Sequence, residues 1–163
     1  KVAFLPLGGS GKDWKQEGCA AYLQMVSRLR TAGEMAKQEG ITIGIRTGMD
    51  AKFDKKLLKK VGSSQIKVYY NFQDAADHHR DICKELRKLG AQRIVQIHAS
   101  NTDSVNLQED PEINLPKIRK TLDKMKWSGW LVVERSRDVK RVRDVKYNFG
   151  RNIAYLKQVF QER

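Results

Sequence analysis

Cysteine is scarce in this 163-residue chain: only Cys19 and Cys83 occur, and neither lies in a CxxC or Cys/His spacing. That excludes a disulfide framework and a cysteine-based zinc site, and makes a reduced, cytoplasmic setting the expectation. Cys83 falls in an apolar helical phase and reads as core packing. No apolar run approaches the roughly 18 residues that a membrane span needs, so no membrane partner is expected. A secretory signal is also missing, as is an initiating Met. The chain opens on the strand-like Lys1-Val2-Ala3-Phe4-Leu5, and the expectation is that upstream sequence has been lost. Histidine is limited to three residues, and 19 acidic residues face 32 basic ones, a net charge of +13. Such an excess favours anionic ligands, whether nucleic acid or a sugar phosphate, or serves solubility through self-repulsion.

Two stretches carry much of the surplus. Residues 52–60 read as the solvated face of a short helix with Phe53, Leu57, Leu58 and Val61 inside. Residues 135–146, from Arg135-Ser136-Arg137 onward, follow Glu134 directly. They read either as a holder of an anionic substrate group or as an exposed loop.

What the chain has in abundance is alternation of strand-like and helix-like stretches. With 40% hydrophobic residues it can bury a core of ordinary size, and 1–163 reads as a single domain. Residues 1–7 are a strand, and 20–38 a helix with Leu23, Val26, Leu29 and Ala36 on one face. Gly40 stops that helix before strand 41–45. Helix 51–60 ends near Gly62, strand 66–70 follows, and helix 74–89 turns Ala75, Ile82, Cys83, Leu86 and Leu89 inward up to Gly90. After strand 93–98 and a polar loop, Asn114 caps a helix with Pro116 in its first turn and Ile118, Leu122 and Met125 buried. Strand 130–134 precedes a last helix, from about Asn148, with Phe149, Ile153, Leu156, Val159 and Phe160 inside. The strands are apolar with little alternation, as strands covered on both faces are. Five consecutive units therefore predict an α/β fold with a parallel sheet and helices outside.

Periodicity leaves open whether the sheet is flat or part of a barrel. A flavodoxin-like sheet would bind phosphate or flavin at its first loop, here Gly8-Gly9-Ser10-Gly11-Lys12-Asp13. A P-loop needs Gly where Pro6 stands and Ser or Thr where Asp13 stands, so this is read as a flexible, ligand-covering loop, with nucleotide binding the disfavoured reading.

Two strands end alike. Arg93-Ile94-Val95-Gln96-Ile97-His98 runs into an imidazole and Trp130-Leu131-Val132-Val133-Glu134 into a carboxylate. Proton-moving or metal-ligating side chains at the C-terminal ends of buried parallel strands lie where α/β folds build active sites. Either residue alone is as well read as a strand-end polar group held by local hydrogen bonds; the pair favours a site.

The stretches Ile94-Val95-Gln96-Ile97-His98, Val68-Tyr69-Tyr70 and Gly129-Trp130-Leu131-Val132-Val133-Glu134, followed by Asn152-Ile153-Ala154-Tyr155-Leu156, resemble the sugar phosphate isomerase/epimerase family. That is the xylose isomerase-like TIM barrel group, to which endonuclease IV also belongs. The resemblance implies a partial TIM barrel, with five of eight parallel (β/α) strands present, as the C-terminal part. A complete barrel takes about 250 residues, so either a missing N-terminal portion or self-association with a second chain would complete it.

The family's metal site implies a carboxylate after the fifth strand, an Asp after the sixth, a His after the seventh and a Glu after the eighth. The last two correspond to His98 and Glu134. Arg46 stands in place of the first carboxylate and Asn71 in place of the Asp. A divalent metal (Mn, Mg, Co or Zn) on His98, Glu134 and Asn71 is thus implied only with a cation beside it, unless Arg46 turns away or Asp74 or Asp103 compensates. The activity implied is isomerisation or epimerisation of a sugar or sugar phosphate by proton abstraction next to a carbonyl. Glu134 is the candidate base and His98 the acid, Arg46 the metal's replacement at the oxyanion, Asn71, Gln73 and Asp103 hydroxyl binders, and Arg135 or Arg137 the binder of an anionic tail. A keto-sugar lyase or hydratase, an inactive binding domain and an endonuclease IV-like activity are the alternatives. Nucleic acid is the disfavoured partner, because a multi-metal cluster needs more histidine than three residues, two of them (His78 and His79) expected on a helix.

Overall fold

A computed structural model describes residues 1–7, 14, 16–100 and 103–162. The loop expected to cover the site, Gly8 to Asp13, lies outside them. Strands β1 (Val2–Pro6), β2 (Thr42–Arg46), β3 (Ile66–Asn71), β4 (Ile94–His98) and β5 (Trp130–Val132) pair in sequence order. Every pairing is parallel. Helices α1 (Ala20–Gln38), α2 (Ala51–Val61), α3 (Phe72–Ala76), α4 (Ile82–Leu89) and α5 (Leu115–Lys124) lie between them and α6 (Val145–Phe160) follows β5, so the whole is a partial TIM barrel.

Local chemistry explains where the helices start and stop. Asp50, Asp81, Asn114 and Asp144 each accept a hydrogen bond from the backbone N–H three residues on, at 2.7, 2.9, 3.0 and 3.0 Å. Each such cap is worth about 1 kcal/mol. Gly62, at φ 74°, closes α2 in the left-handed region that a side chain disfavours. The core lies between sheet and helices, where Ile45, Leu57, Phe72, Leu86, Leu89, Ile97 and Leu115 are fully buried. Cys83 is buried as expected, and the lysines of α2 face solvent.

Several expectations need correction. The helix expected over 74–89 is two helices, because the chain turns at residues 77–81: His79 takes φ 51° and the Asp81 side chain caps a fresh start at α4. His78 and His79 therefore sit in a turn rather than on a helix. On α1 the inward positions are Tyr22, Val26, Leu29, Gly33 and Ala36, which leaves Leu23 exposed. β4 starts one residue late because Ala91–Arg93 form a turn of 3-10 helix. β5 stops at Val132, two residues before Glu134, and α6 starts at Val145 behind the Asp144 cap. Ile153 is exposed, not buried: together with Trp130, Phe149 and Phe160 it lines a groove of about 820 Å³ beside the edge strand β5. Among the described residues no helix is long and apolar enough to cross a membrane.

Candidate active site

Alternation along a strand decides what faces the inside of the half-barrel. Ile45, Val68, Tyr70 and Ile97 point into the helix-covered core. Their neighbours Arg46, Asn71 and His98 share the opposite face, and Glu134 joins them from just past β5. The β3–β4 register shifts by one residue between Val68/Ile94 and Tyr69/Gln96, which inserts Val95 as a bulge and brings Asn71 level with His98. A one-residue slip would have turned the imidazole to the other face. Gly44 makes room for this arrangement. A Cβ there would come within 2.8 Å of the Val95 side chain and 3.0 Å of the Tyr69 ring.

Glu134 Oε2 lies 3.3 Å from His98 Nδ1 and 3.9 Å from Arg46 Nη1. The guanidinium is held from behind: Arg46 Nε and Nη2 donate to the Asp74 carboxylate at 2.9 and 2.7 Å. Asn71 Oδ1 accepts the Gln73 N–H at 2.8 Å, which aims its Nδ2 at His98 Nδ1, 3.5 Å away. The rings of Tyr69 and Phe4 pack against the imidazole at centroid distances of 4.4 and 5.1 Å. Burial lowers the His98 pKa, and Arg46 adds to that, while Glu134 and Asp74 oppose it. The imidazole is therefore neutral near pH 7. Bonding to Asp74, against some desolvation, raises the Arg46 pKa further, so this group is a permanent cation.

This donor set does not fit a divalent ion. Among the described residues no group of three or more His, Cys, Asp and Glu is placed to hold one. Arg46 has not turned away. At about 4 Å and an effective dielectric of about 20, a unit charge repels a divalent ion by roughly 8 kcal/mol. The two carboxylates that sequence offered as compensation are both bound to arginine.

Asp103 is the second of them. It accepts from Arg135 Nε and Nη2 at 3.1 and 2.7 Å and from Arg137 Nε and Nη2 at 2.8 and 2.6 Å. The Arg137 and Arg135 bonds hold its carboxyl well below the usual range. Arg46, Asn71, His98 and Glu134 thus converge, whereas Asp103, Arg135 and Arg137 form their own cluster with one net positive charge. Gln73 contributes its backbone N–H to orienting Asn71.

Sequence reasoning gave no role to three buried asparagines that fix the segment after Glu134. Asn106 and Asn152 donate to the Ser136 carbonyl at 3.2 and 2.7 Å, Asn152 Oδ1 accepts the Leu107 N–H at 2.8 Å, and Asn148 bonds Asn106, Asp138 and the Arg141 carbonyl. Ser136 is held at φ 73° in the middle of this network. The signal available was polar residues at the inward positions of α6, Asn148 and Asn152. Asn152→Ala leaves the buried Leu107 N–H without its partner and is expected to cost about 1–3 kcal/mol, checked by urea denaturation.

A family profile described as "Xylose isomerase-like TIM barrel" matches residues 2–159. No curated protein matches. Among solved structures, D-psicose 3-epimerase in the presence of D-fructose shares 14% identity over 85% of this chain and 56% of its own, with a TM-score of 0.71. The apo form of 3-keto-D-glucoside 4-epimerase from E. coli shares 8% over 95% and 63%, at 0.73. An AP endonuclease, family 2, from Brucella melitensis shares 17% over 83% and 57%, at 0.63. The likeness is one of fold, and this chain spans less than two thirds of each of these structures.

Proposed function

Because the chain belongs to the xylose isomerase-like TIM barrel family, we propose that the protein is a sugar isomerase or epimerase that moves a proton next to a carbonyl. The observation that carries this reading is the convergence of a carboxylate, a neutral imidazole and a guanidinium on one point, with Glu134 Oε2 3.3 Å from His98 and 3.9 Å from Arg46. Enolisation needs a base at the carbon and positive or hydrogen-donating groups at the oxygen. In the proposed reaction Glu134 takes the proton, the C–H electron pair becomes the C=C bond of an enediol(ate), and the carbonyl oxygen takes up the charge. Return of the proton to the adjacent carbon, as the hydroxyl proton on that carbon passes to the former carbonyl oxygen, gives the isomer; the epimer needs a proton delivered to the opposite face of the same carbon by a second group besides Glu134. The epimerases among the structural neighbours support sugars as the substrate class. In this reading the chain is the C-terminal five units of a barrel, and three further units, from preceding sequence or a second copy, close it.

Loss of a β-hydroxyl from the same intermediate gives the lyase variant of the activity. The metal-dependent variant would use His98, Glu134 and Asn71 as ligands, against the charge of Arg46. A nucleic-acid-processing reading is favoured by the net charge of +13 and the AP endonuclease neighbour. It is opposed by the single histidine at the site, and a duplex that fails to bind at low salt would remove it.

The test is solvent exchange. The intact protein, incubated with a panel of ketoses and their phosphates in D2O, is expected to introduce deuterium next to the carbonyl of at least one, read by NMR or mass spectrometry. A panel without exchange would overturn the reading.

A further inference from the structure

We infer that Arg46 is the oxyanion partner of this site in place of a divalent ion, and that Asp74 is the residue that positions it. The inference rests on the proton-transfer reading above and gives it a metal-independent form. Three observations carry it.

The first is the geometry of the clamp. Asp74 takes Nε and Nη2 of Arg46 in a two-point bond at 2.9 and 2.7 Å, which fixes the plane of the guanidinium and leaves Nη1 directed at Glu134 Oε2. A bidentate arginine–carboxylate pair is the arrangement that makes a cation rigid. Asp74 lies on α3, three residues past Asn71, so the strand end is neutral and the negative charge sits behind the arginine.

The second is the convergence of donors. Arg46 Nη1 and His98 Nδ1 flank the position that Glu134 Oε2 now occupies, at 3.9 and 3.3 Å. An oxygen of a substrate that displaced this carboxylate oxygen would meet the same donors. The Glu134 side chain is 42% exposed, against 25% for Arg46 and 8% for His98, and Arg46 is bonded to Asp74, so the base is the member of the set least enclosed by the protein. Glu134 therefore holds the oxyanion position in the resting site and vacates it when a carbonyl arrives, its carboxylate then facing the adjacent carbon.

The third is charge. Arg46 and Asp74 cancel, and Glu134 supplies the carboxylate that proton abstraction requires. A divalent ion would add two positive charges beside a cation that cannot deprotonate.

The balance closes without a further reactant. The proton goes from carbon to Glu134, the C–H pair forms the C=C bond, the carbonyl π pair goes to oxygen opposite Arg46, and the proton returns.

The experiment uses the intact protein and D-erythronohydroxamate, a planar enediolate mimic that also chelates metals. Calorimetry is expected to give the same affinity, within about twofold, in EDTA and in Mn²⁺. Arg46→Gln is expected to weaken binding about 10- to 100-fold, the loss of a charge-assisted hydrogen bond, with no recovery on adding Mn²⁺. Asp74→Asn is expected to weaken it about tenfold and Asp74→Glu to restore part of the loss, which a purely structural role would not do. Circular dichroism on each variant separates misfolding from loss of the site. Binding abolished by EDTA and restored by Mn²⁺ would overturn the inference, as would hydroxamate affinity unchanged in a folded Arg46→Gln protein or no hydroxamate binding under either condition. Arg46-dependent binding without deuterium exchange into any sugar would uphold the oxyanion site while removing the isomerase reading.

Discussion

Replacing Glu134 with glutamine is expected to lower turnover of the intact protein by about 100- to 10,000-fold, the range that a positioned general base contributes. Glutamine keeps the length of the side chain and an oxygen beside Arg46 and His98, but it has no basic lone pair for a proton on carbon. The substitution should leave stability nearly unchanged. Glu134 is 42% exposed, its contact with Arg46 is long at 3.9 Å, and the guanidinium stays clamped by Asp74. Substitutions at such positions usually stay within about 0.5 kcal/mol. A loss of rate in a protein with an unchanged unfolding midpoint thus reports chemistry alone. Steady-state kinetics on whichever sugar exchanges deuterium is the measurement, and a rate within about threefold of the parent would remove Glu134 from the role of base.

The architecture was legible because parallel strands with helical cover have a simple grammar. Ile43-Gly44-Ile45, Val68-Tyr69-Tyr70 and Ile94 to Ile97 are short, largely apolar runs, and the cap at Asn114 with stops at Gly62 and Gly90 separates them from the helices. The same one-dimensional signals fail where packing chooses between neighbours. Leu23 and Tyr22 both suit the inward stripe of α1, and packing selects the tyrosine, whose ring joins the core and meets Phe53 of α2. Ile153 fits the apolar phase of α6 but faces the groove beside β5, where a helix wheel has no means of knowing that the sheet stops.

At the site, the identities of His98 and Glu134 could be read from their strand ends, and the departures at Arg46 and Asn71 from the family pattern. Their contact could not, since it depends on a bulge at Val95 and on a β5 that ends early. Nor could the clamp. Asp74 was visible as a carboxylate that could offset Arg46, but 28 positions away, and its two-point pairing needs the parallel register of β2 with β3 to be known first. The basic run after Glu134 was ambiguous for a related reason: Asp103, 32 residues before Arg135, decides how much of its charge is spent.

Asp54→Asn is expected to stabilise the protein at pH 8 by up to about 4 kcal/mol and to have little effect near pH 4. Asp54 is 5% exposed on α2, and desolvation raises its carboxyl to about 7, with the Thr47 hydroxyl bond at 2.5 Å and Arg80 pulling down and Glu85 and Asp50 pushing up. In the unfolded chain the same group titrates near 3.9. Between these values the folded state keeps a proton that the unfolded state has released, so stability falls as pH rises from about 4 to about 7 and the deficit is complete above that. A difference of about three pKa units corresponds to about 4 kcal/mol. Asparagine is close in shape to the protonated acid and its Oδ1 can accept the Thr47 hydrogen bond, so it removes the charge and leaves the packing. Urea denaturation of both proteins across pH 4 to 8 is the measurement, and a stability difference that does not change with pH would refute the assignment. The site has a stake in the outcome. Thr47 directly follows Arg46 and its hydroxyl also accepts the Met49 N–H at 3.0 Å, so the turn that carries the guanidinium rests on a carboxyl whose ionisation above neutrality works against the fold.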